Sequence, residues 1–316
     1  MKAVFLDFAT MGDGLDTRPL ESVVSELDIY DATPDDKVAE RICDRDIIFC
    51  NKNVLSAELL AGSRVRFIGL TATGTDNVDL DFAKANGIAV ANITAYCTES
   101  LVEHVFGVLL MLTHSLHRYA ATVRDGEWQK AADPFLLAHP VRELSAMTLG
   151  IVGYGELGQG TSRIARAFGM DVLVSARPGA PSVPEGRVAF DEVLERSDAI
   201  SLHCPLNDAT RKLIGAGELK RMKPSAYLVN TARGGLVDSA ALATALETGE
   251  IAGAAVDVLP HEPPVHGDPL LDYQGDNLII TPHVAWASNE ARQNAIAELA
   301  ANARAFLEGE QRNRVV

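Results

Sequence analysis

Three polar side chains follow apolar runs of the chain and are of the types that carbonyl chemistry requires. Arg233 comes after one such run and before two glycines, and its planar guanidinium can bind a carboxylate together with the adjacent carbonyl oxygen. His283 follows another run, and an imidazole can give a proton to a ketone oxygen near neutral pH. Glu262 lies in an H-E-P-P sequence whose prolines restrict the backbone, and a carboxylate beside an imidazole orients the ring and stabilises its protonated form. The set predicts proton transfer to the carbonyl oxygen of a bound 2-keto acid.

A second chemical feature is a glycine-rich turn between two predicted strands. An apolar run at 149–152 is followed by Gly153, Gly155 and Gly158, then by a helical pattern and a second apolar run at 172–174. Such glycines permit a tight turn, the close approach of a pyrophosphate and the packing of a helix on a strand. The amino end of the helix then binds phosphates through its free N–H groups. The arrangement predicts a dinucleotide-binding site, and a glycine-rich turn of another α/β protein is the alternative.

The residue at the end of the second strand of this unit selects between NAD and NADP, because an acidic side chain there binds the ribose 2′-hydroxyl of NAD. This chain has Ser175 at that end and Arg177 two residues later, while Asp171 stands at the start of the strand. Ser175 can donate a hydrogen bond to a 2′-phosphate and Arg177 can pair with its charge, so NADP is favoured. NAD is the alternative, because Pro178 can turn Arg177 aside and leave a site of dual specificity.

Strands and helices alternate along the chain, which predicts parallel sheets with helices on both faces. The predicted strands lie at 3–6, 28–30, 46–50, 66–70, 88–91, 149–152, 172–174, 188–190, 199–203, 226–230, 254–258 and 278–281. A helix is predicted at 20–27, and the last helix, at 288–307, returns to the first domain. The sequence therefore predicts an α/β fold with two doubly wound parallel-sheet domains. Residues 1–97 with 287–316 form a substrate domain, and 98–286 form the dinucleotide-binding domain inserted into it.

The segment at 116–144 does not follow this alternation. It contains polar stretches, Trp128, Phe135 and two prolines. A segment that projects from a compact domain usually packs on something, so we expect a second copy of the chain there and hence a homodimer. A lid or a covered loop is the alternative.

Composition excludes several classes of function. A net charge of −15 argues against a nucleic-acid partner, which needs a basic face. The most apolar helical segment, 101–112, is too short to span a membrane, and the chain starts with a strand rather than a signal peptide. The four cysteines have no C-x-x-C spacing and indicate reduced thiols in the cytoplasm. No metal site is predicted, because His261 and His266 lack the H-E-x-x-H spacing of a zinc site.

Six stretches of the chain resemble the D-isomer-specific 2-hydroxyacid dehydrogenase family in order and spacing. They are T-A-T-G-T-D-N-V-D at 71–79, G-Y-G-E-L-G at 153–158, H-C-P-L at 203–206, N-T-A-R-G-G-L-V-D at 230–238, D-V-L-P-H-E-P-P at 257–264 and T-P-H-V-A-W at 281–286. The resemblance covers essentially the whole chain. It implies a Rossmann cofactor domain inserted into a flavodoxin-like substrate domain. It also implies an NAD(P)-dependent oxidoreductase that transfers hydride between nicotinamide and C2 of a 2-keto or 2-hydroxy acid.

The resemblance also implies roles for individual residues. In the family's catalytic set His283 is the acid and base, Glu262 supports it, and Arg233 binds the substrate. Substrate binding is further expected from Asn51, Thr73 and Gly74, where backbone N–H groups can grip a carboxylate. Cofactor contacts are expected at Gly153, Gly155, Glu156, Leu157, Gly158, Ser175, Arg177, Cys204, Pro205, Thr231, Ala232, His283 and Asp257, the last near the nicotinamide carboxamide.

Within the family, N-K-N-V-L at 51–55 resembles the glycerate dehydrogenase (hydroxypyruvate reductase) branch, which favours hydroxypyruvate or glyoxylate as substrate. Relatives that act on phosphorylated acids often carry an arginine where Phe49 stands, so phosphoglycerate is a weaker alternative, kept open by Lys52. Relatives that oxidise phosphite carry a lysine where Thr73 stands, so phosphite oxidation is disfavoured for this chain. A dinucleotide-sensing binding protein, similar to the corepressors on this fold, is the other alternative. The intact Arg–Glu–His set favours an enzyme.

Overall fold

The computed structural model describes residues 1–180 and 182–316, and the chain divides into two compact units. Unit 1 comprises Met1–Cys97 with Ala287–Val316, and unit 2 comprises Thr98–Trp286. Each unit contains one sheet in which neighbouring strands run parallel. The predicted fold class, α/β with two parallel-sheet domains, is confirmed.

Unit 1 is built on a five-stranded sheet in the order β2-β1-β3-β4-β5. Its elements are β1 (Lys2–Phe5), α1 (Arg18–Glu21), β2 (Glu26–Ile29), α2 (Asp35–Ile42), β3 (Ile47–Cys50), α3 (Ala57–Ala61), β4 (Phe67–Leu70), α4 (Leu80–Ala85), β5 (Ala89–Ala91) and α13 (Asn289–Leu307). The inner strands β3 and β4 are wholly buried, as strands covered on both faces require. Helix α13 packs closely on β4: a Cβ atom on Gly69 would lie 2.6 Å from Leu299 Cδ1, and the rings of Phe67 and Phe306 stack 4.9 Å apart.

Unit 2 is built on a six-stranded sheet in the order β11-β10-β9-β8-β6-β7. Its elements are α5 (Thr98–Thr113), α6 (Leu116–Arg124), α7 (Glu127–Lys130), β6 (Thr148–Val152), α8 (Glu156–Ala167), β7 (Asp171–Val174), α9 (Phe190–Arg196), β8 (Ala199–Leu202), α10 (Ala216–Arg221), β9 (Tyr227–Asn230), α11 (Ser239–Thr248), β10 (Gly253–Val256), α12 (Pro269–Asp272) and β11 (Leu278–Ile280). The chain runs from β6 outward to β7 and then crosses to β8 on the other side of β6. The carboxyl ends of β6 and β8 therefore flank a switch point, where open α/β sheets bind ligands.

The sheet of unit 2 has a hydrophobic core on each face. Successive residues of β9 alternate between the two cores: Leu228 packs with Ile200 and Leu246, and Val229 packs with Leu109 and other residues of α5. This alternation follows from the two-residue side-chain period of a strand. No helix in the described parts of the chain combines the length and the apolar character that a membrane crossing requires.

Two predicted elements are wrong. The helix predicted at 20–27 ends at Glu21, and the strand predicted at 28–30 starts two residues earlier, as β2 (Glu26–Ile29), because β1 pairs with it from Lys2 onward. The strand predicted at 188–190 is reduced to one parallel bridge between Val188 and Ser175, and helix α9 already begins at Phe190. At 26–27 pairing with β1 overrides a helical pattern, and at 188–190 the start of helix α9 overrides a short apolar run.

Candidate active site

Three neighbouring strands of unit 2 position the residues predicted to be catalytic. Strands β9, β10 and β11 lie side by side and parallel, so their carboxyl ends meet at one edge of the sheet. Arg233 follows β9, Glu262 follows β10 and His283 follows β11. The fold therefore explains how residues far apart in sequence come to share this edge.

The carboxylate of Glu262 contacts the imidazole of His283. Glu262 Oε2 lies 2.6 Å from His283 Nδ1, and each side chain is one-third exposed, at 33%. An ionised carboxylate only accepts hydrogen bonds, so Nδ1 carries the proton in this contact and Nε2 is the ring atom left for a substrate. The second oxygen, Glu262 Oε1, accepts the N–H of Leu259 at 2.8 Å and so fixes the carboxylate on its own loop.

The backbone of His283 is held in a conformation that residues with side chains rarely adopt. Its φ angle is +57°, in the left-handed region. The N–H of His283 donates to the carbonyl of Asp257 at 2.7 Å, and Trp286 Nε1 donates to the His283 carbonyl at 3.0 Å. Such strain persists only where surrounding contacts determine it, and it is typical of functional sites.

Asp257 organises the loop that carries His283. Its carboxylate is buried and accepts three hydrogen bonds, from the N–H groups of Val284 and Ala285 at 2.9 Å each and from Thr281 Oγ1 at 2.5 Å. The sequence indicated Asp257 as a cofactor contact. The structure assigns its carboxylate oxygens to the loop from Thr281 to Ala285, a role that sequence reasoning missed.

Arg233 is available to bind an anion. Its Nη1 donates to the carbonyl of Ala232 at 2.8 Å, and among the residues that the structure describes no carboxylate pairs with its half-buried guanidinium. Asn230 fixes the backbone around it, since Asn230 Nδ2 donates to the Arg233 carbonyl at 2.9 Å and Asn230 Oδ1 accepts from the Ala232 N–H at 3.1 Å. An unpaired guanidinium at a strand end suits a carboxylate ligand.

Gly234 brings the loops of Arg233 and Glu262 into contact. A Cβ atom on Gly234 would lie 2.0 Å from the carbonyl carbon of Leu259 and 2.3 Å from the nitrogen of Pro260. Only glycine permits this approach of the two backbones. The distance between the two loops therefore depends on one missing side chain.

The glycine-rich turn fits a dinucleotide phosphate group. Gly158 packs on the preceding turn, since its Cβ would lie 2.2 Å from the Gly153 carbonyl oxygen, and a Cβ on Gly153 would lie 2.5 Å from the nitrogen of Cys204. At Gly155, the N-cap of α8, an added Cβ would meet no atom of the described chain within 4 Å apart from its two neighbours in sequence. Helix α8 begins at Glu156, and no side-chain hydrogen bond from the N-cap Gly155 takes up its first N–H groups, which remain free for a phosphate.

Residues after β8 and β9 complete the edge around this turn. His203, Cys204 and Pro205 follow β8, and burial lowers the pKa of His203 to about 4 and raises the pKa of the Cys204 thiol. After β9, Thr231 Oγ1 is buried without a hydrogen-bond partner among the described residues, next to Ala232. A buried hydroxyl without a partner among the described residues, at the carboxyl end of the strand next to β8, leaves a donor for a ligand.

At the end of β7 the structure shows one cation that sequence reasoning missed. Ser175 is buried and donates its hydroxyl to the Ala176 carbonyl at 2.7 Å, while Arg177 is exposed. Arg187 instead reaches this place, with Nη1 donating to the Ser175 carbonyl at 3.2 Å. The apolar pattern at 188–190 was the signal that could have found it, because its pairing with β7 carries Arg187 to the strand end.

In unit 1, one buried carboxylate shapes the loop that contains Asn51. Asp7 accepts the backbone N–H groups of Asn51 at 2.9 Å, Lys52 at 2.6 Å and Asn53 at 3.0 Å. Asp7 follows β1, which pairs with the strand before this loop, β3. Sequence reasoning also missed this role of Asp7. The second predicted substrate loop, with Thr73 and Gly74, follows β4, and Thr73 Oγ1 donates to the Ile93 carbonyl at 3.0 Å.

No cluster of three or more histidine, cysteine, aspartate or glutamate side chains suited to a metal ion occurs within residues 1–180 and 182–316.

Comparison with known proteins gives consistent matches. Residues 106–285 match the family described as D-isomer specific 2-hydroxyacid dehydrogenase, NAD binding domain. The chain is 42% identical to a glycerate dehydrogenase of Methylorubrum extorquens over 309 residues, which cover 95% of this chain and 97% of the relative. It is 36% identical to a hydroxypyruvate reductase of Blautia hydrogenotrophica, over 100% of this chain and 99% of the relative. The structure of an acyclic imino acid reductase in complex with NADPH and D-Arg superposes with a TM-score of 0.86 at 28% identity, with 100% of both chains covered.

Proposed function

Because this chain belongs to the D-isomer specific 2-hydroxyacid dehydrogenase family and is a nicotinamide-dependent oxidoreductase, we propose that it interconverts hydroxypyruvate or glyoxylate with the 2-hydroxy acid, of D configuration where C2 is chiral. The observation that carries the proposal is the 2.6 Å contact of Glu262 with His283, at the end of the sheet where Arg233 has no carboxylate partner among the described residues. The glycerate dehydrogenase and hydroxypyruvate reductase relatives support small 2-keto acids as substrates.

His283 is proposed to move the proton. The nicotinamide, when bound, supplies or accepts the hydride at C2 of the substrate. In reduction, His283 Nε2 gives a proton to the carbonyl oxygen as it becomes a hydroxyl group. Glu262 keeps the ring oriented through Nδ1, so that Nε2 faces the substrate as the proton donor.

Arg233 is proposed to bind the substrate. Its guanidinium can hold a carboxylate oxygen and the neighbouring carbonyl oxygen with two parallel N–H groups. This geometry would polarise the carbonyl and align C2 for reduction. The assignment of Asn51, Thr73 and Gly74 to substrate binding stays a prediction.

For the cofactor we propose that Gly153, Gly155 and Gly158 with the first N–H groups of α8 hold the pyrophosphate. Thr231 Oγ1, buried and unpaired among the described residues, supports a further contact after β9. The absence of an acidic side chain at residue 175 favours NADP over NAD.

The segment of α6, α7 and the residues up to β6 is proposed to bind a second copy of the chain. Its apolar side chains are unusually exposed, Phe135 at 79% and Leu137 at 89%. An exposed apolar cluster of this kind marks an interaction surface. Light scattering should give twice the chain mass for the wild type and the single chain mass for a Phe135→Glu, Leu137→Glu variant. A monomeric wild type would contradict the dimer, and Val265→Glu, at another exposed apolar position, is the control.

The oxidoreductase proposal is tested by following the absorbance of reduced nicotinamide. Purified protein would be mixed with NADPH or NADH and a panel of acids that includes hydroxypyruvate, glyoxylate, pyruvate and 3-phosphohydroxypyruvate. We expect the highest kcat/KM with hydroxypyruvate or glyoxylate. Binding of the dinucleotide without turnover of any acid would contradict the proposal and favour a dinucleotide-sensing protein.

A further inference from the structure

Arg187 lies at the carboxyl end of β7 although it comes twelve residues after Ser175 in the chain. Two backbone hydrogen bonds bring it there: the N–H of Val188 donates to the Val174 carbonyl at 2.9 Å, and the N–H of Ala176 donates to the Val188 carbonyl at 2.7 Å. The segment before α9 therefore adds one parallel bridge to the edge strand. This pairing, and no local motif, fixes the position of the arginine.

The guanidinium of Arg187 joins the strand end to the glycine-rich turn. Nη1 donates to the Ser175 carbonyl at 3.2 Å, and Cζ lies 4.9 Å from the centre of the Tyr154 ring. Tyr154 stands between Gly153 and Gly155, inside the turn expected to hold the pyrophosphate. Contact with the face of an aromatic ring favours a cation and restrains the side chain. Arg187 is thus oriented before any ligand arrives.

The two residues that the sequence indicated for this role are less suited to it. The Ser175 hydroxyl is buried and already donates to the Ala176 carbonyl. The guanidinium of Arg177 is exposed and makes no hydrogen bond or ion pair with another residue of the described chain. Ordering such a side chain on a ligand costs conformational entropy that the restrained Arg187 has already lost.

The surroundings of Arg187 favour an anion. No carboxylate pairs with Arg187 among the residues described, and a guanidinium has five N–H donors of which the Ser175 carbonyl takes one. The pKa of the Tyr154 phenol is lowered from its usual value, by hydrogen bonds with Ser162 and Arg166 and by the positive charges of Arg166 and Arg187. The charge of Arg187 is thus one of the causes that lower this pKa, after the two hydrogen bonds.

We propose that Arg187, held between the Tyr154 ring and the Ser175 carbonyl, selects dinucleotides that carry a 2′-phosphate. The end of this strand is where the Rossmann fold distinguishes a ribose 2′-hydroxyl from a 2′-phosphate. A guanidinium with free N–H donors binds the charged oxygens of a phosphate strongly, whereas a neutral hydroxyl adds little binding free energy. This inference rests on the cofactor site of the proposed function, because it takes the glycine-rich turn as the dinucleotide site, and not on the turnover of a keto acid.

The test measures binding alone. Isothermal titration calorimetry compares the binding of 2′,5′-ADP with that of 5′-AMP. The two ligands differ only in the 2′-phosphate, and neither supports turnover. Arg187→Gln should weaken 2′,5′-ADP by about 10- to 100-fold and change 5′-AMP by no more than about twofold, as expected for the loss of one charge-assisted contact. Arg187→Lys keeps the charge without the planar fork and should retain part of the preference. Arg177→Gln is the matched control and should change both ligands little.

Three results would overturn the inference. A wild type that binds 5′-AMP as tightly as 2′,5′-ADP lacks the selection altogether. Equal weakening of both ligands in Arg187→Gln would show that Arg187 only shapes the turn. A loss of 2′,5′-ADP binding in Arg177→Gln, with Arg187→Gln unchanged, would assign the role to Arg177. None of these results bears on keto-acid turnover by the wild type. If the wild type turned over no keto acid but its binding of 2′,5′-ADP still depended on Arg187, the proposed reaction would be wrong and this inference would stand.

Discussion

Asp257 determines the backbone position of His283. The His283 N–H donates to the Asp257 carbonyl at 2.7 Å, and the Asp257 carboxylate accepts the N–H groups of the next two residues, Val284 and Ala285. Asp257, at the end of β10, thus holds the loop after β11 through both its own backbone carbonyl and its own carboxylate. The left-handed φ of His283 is maintained by these contacts.

Replacing Asp257 with Asn should therefore reduce both stability and activity. The amide group can accept on one atom only, so one of the loop N–H groups would face another donor and stay unpaired inside the protein. We expect a loss of about 1–3 kcal/mol in the free energy of unfolding and a lower kcat. Urea unfolding and steady-state kinetics measure the two effects. Asp171→Asn, at an exposed position of β7, is the control, and an Asp257→Asn variant that matches it would contradict this role.

Gly234→Ala should separate the loops that carry Arg233 and Glu262. The new Cβ would lie 2.0 Å from the Leu259 carbonyl carbon, so the backbones must move apart at a cost of about 1–3 kcal/mol. We expect lower stability and a fall in kcat/KM for the keto acid. Gly217→Ala, on helix α10, is the matched control, because outside its own helix the new Cβ would meet no described atom within 4 Å. Equal kinetics for the two variants would show that the loop distance does not matter for catalysis.

Arg233→Lys keeps the positive charge and removes the planar fork. KM for the keto acid should rise strongly and kcat should fall, since the carbonyl oxygen loses a positioned donor. Steady-state kinetics of the variant would be compared with those of Arg211→Lys, a change at an exposed arginine of the same unit. If both variants behave like the wild type, Arg233 does not bind the substrate.

His203 should make the protein less stable in mild acid. Burial lowers its folded-state pKa to about 4, whereas the ring has its ordinary pKa of about 6.5 in the unfolded chain. The unfolded state therefore binds the extra proton first, and the stabilisation that is present above about pH 6.5 is lost as the pH falls towards 4. Between about pH 7 and pH 5 the loss should be on the order of 2 kcal/mol.

Urea unfolding of wild type and His203→Gln at both pH values isolates this contribution. His203 Nε2 lies 2.9 Å from Ser201 Oγ, and His203 Nδ1 is buried without a partner among the described residues. A protonated ring would therefore find no acceptor other than the Ser201 hydroxyl among the described residues. The variant should lose less stability on acidification than the wild type. The same pH dependence in both proteins would assign the acid sensitivity to other groups.

The sequence allowed prediction of those features that rest on short patterns. The parallel-sheet fold class follows from apolar runs alternating with helical patterns, and the positions of Arg233, Glu262 and His283 after strands follow from the same runs. The structure shows how β9, β10 and β11 bring the three residues to one edge of the sheet. The glycines of the dinucleotide turn were recognisable because their spacing has a steric cause.

What the sequence did not reveal depends on pairing between distant residues. The strand predicted at 28–30 starts at Glu26 instead, because residues 26 and 27 also pair with β1, and the helical pattern at 20–27 cannot show that. Arg187 reaches the end of β7 through a single bridge at Val188, and Asp7 receives the N–H groups of a loop 44 residues away in the chain. Of these relationships only the pairing at Val188 leaves a local trace, the short apolar run at 188–190, and that run does not show which strand it will pair with.

The proton-donor role of His283 is the central claim, and the kcat of His283→Ala in keto-acid reduction tests it most directly. The loss of a general acid lowers the rate by about 10²- to 10⁴-fold, and we expect a fall in this range. Dinucleotide affinity, measured by titration of the same variant, should stay close to that of the wild type, which separates a chemical defect from a folding defect. A folded His283→Ala variant that binds the dinucleotide and keeps a kcat near the wild-type value would contradict the account.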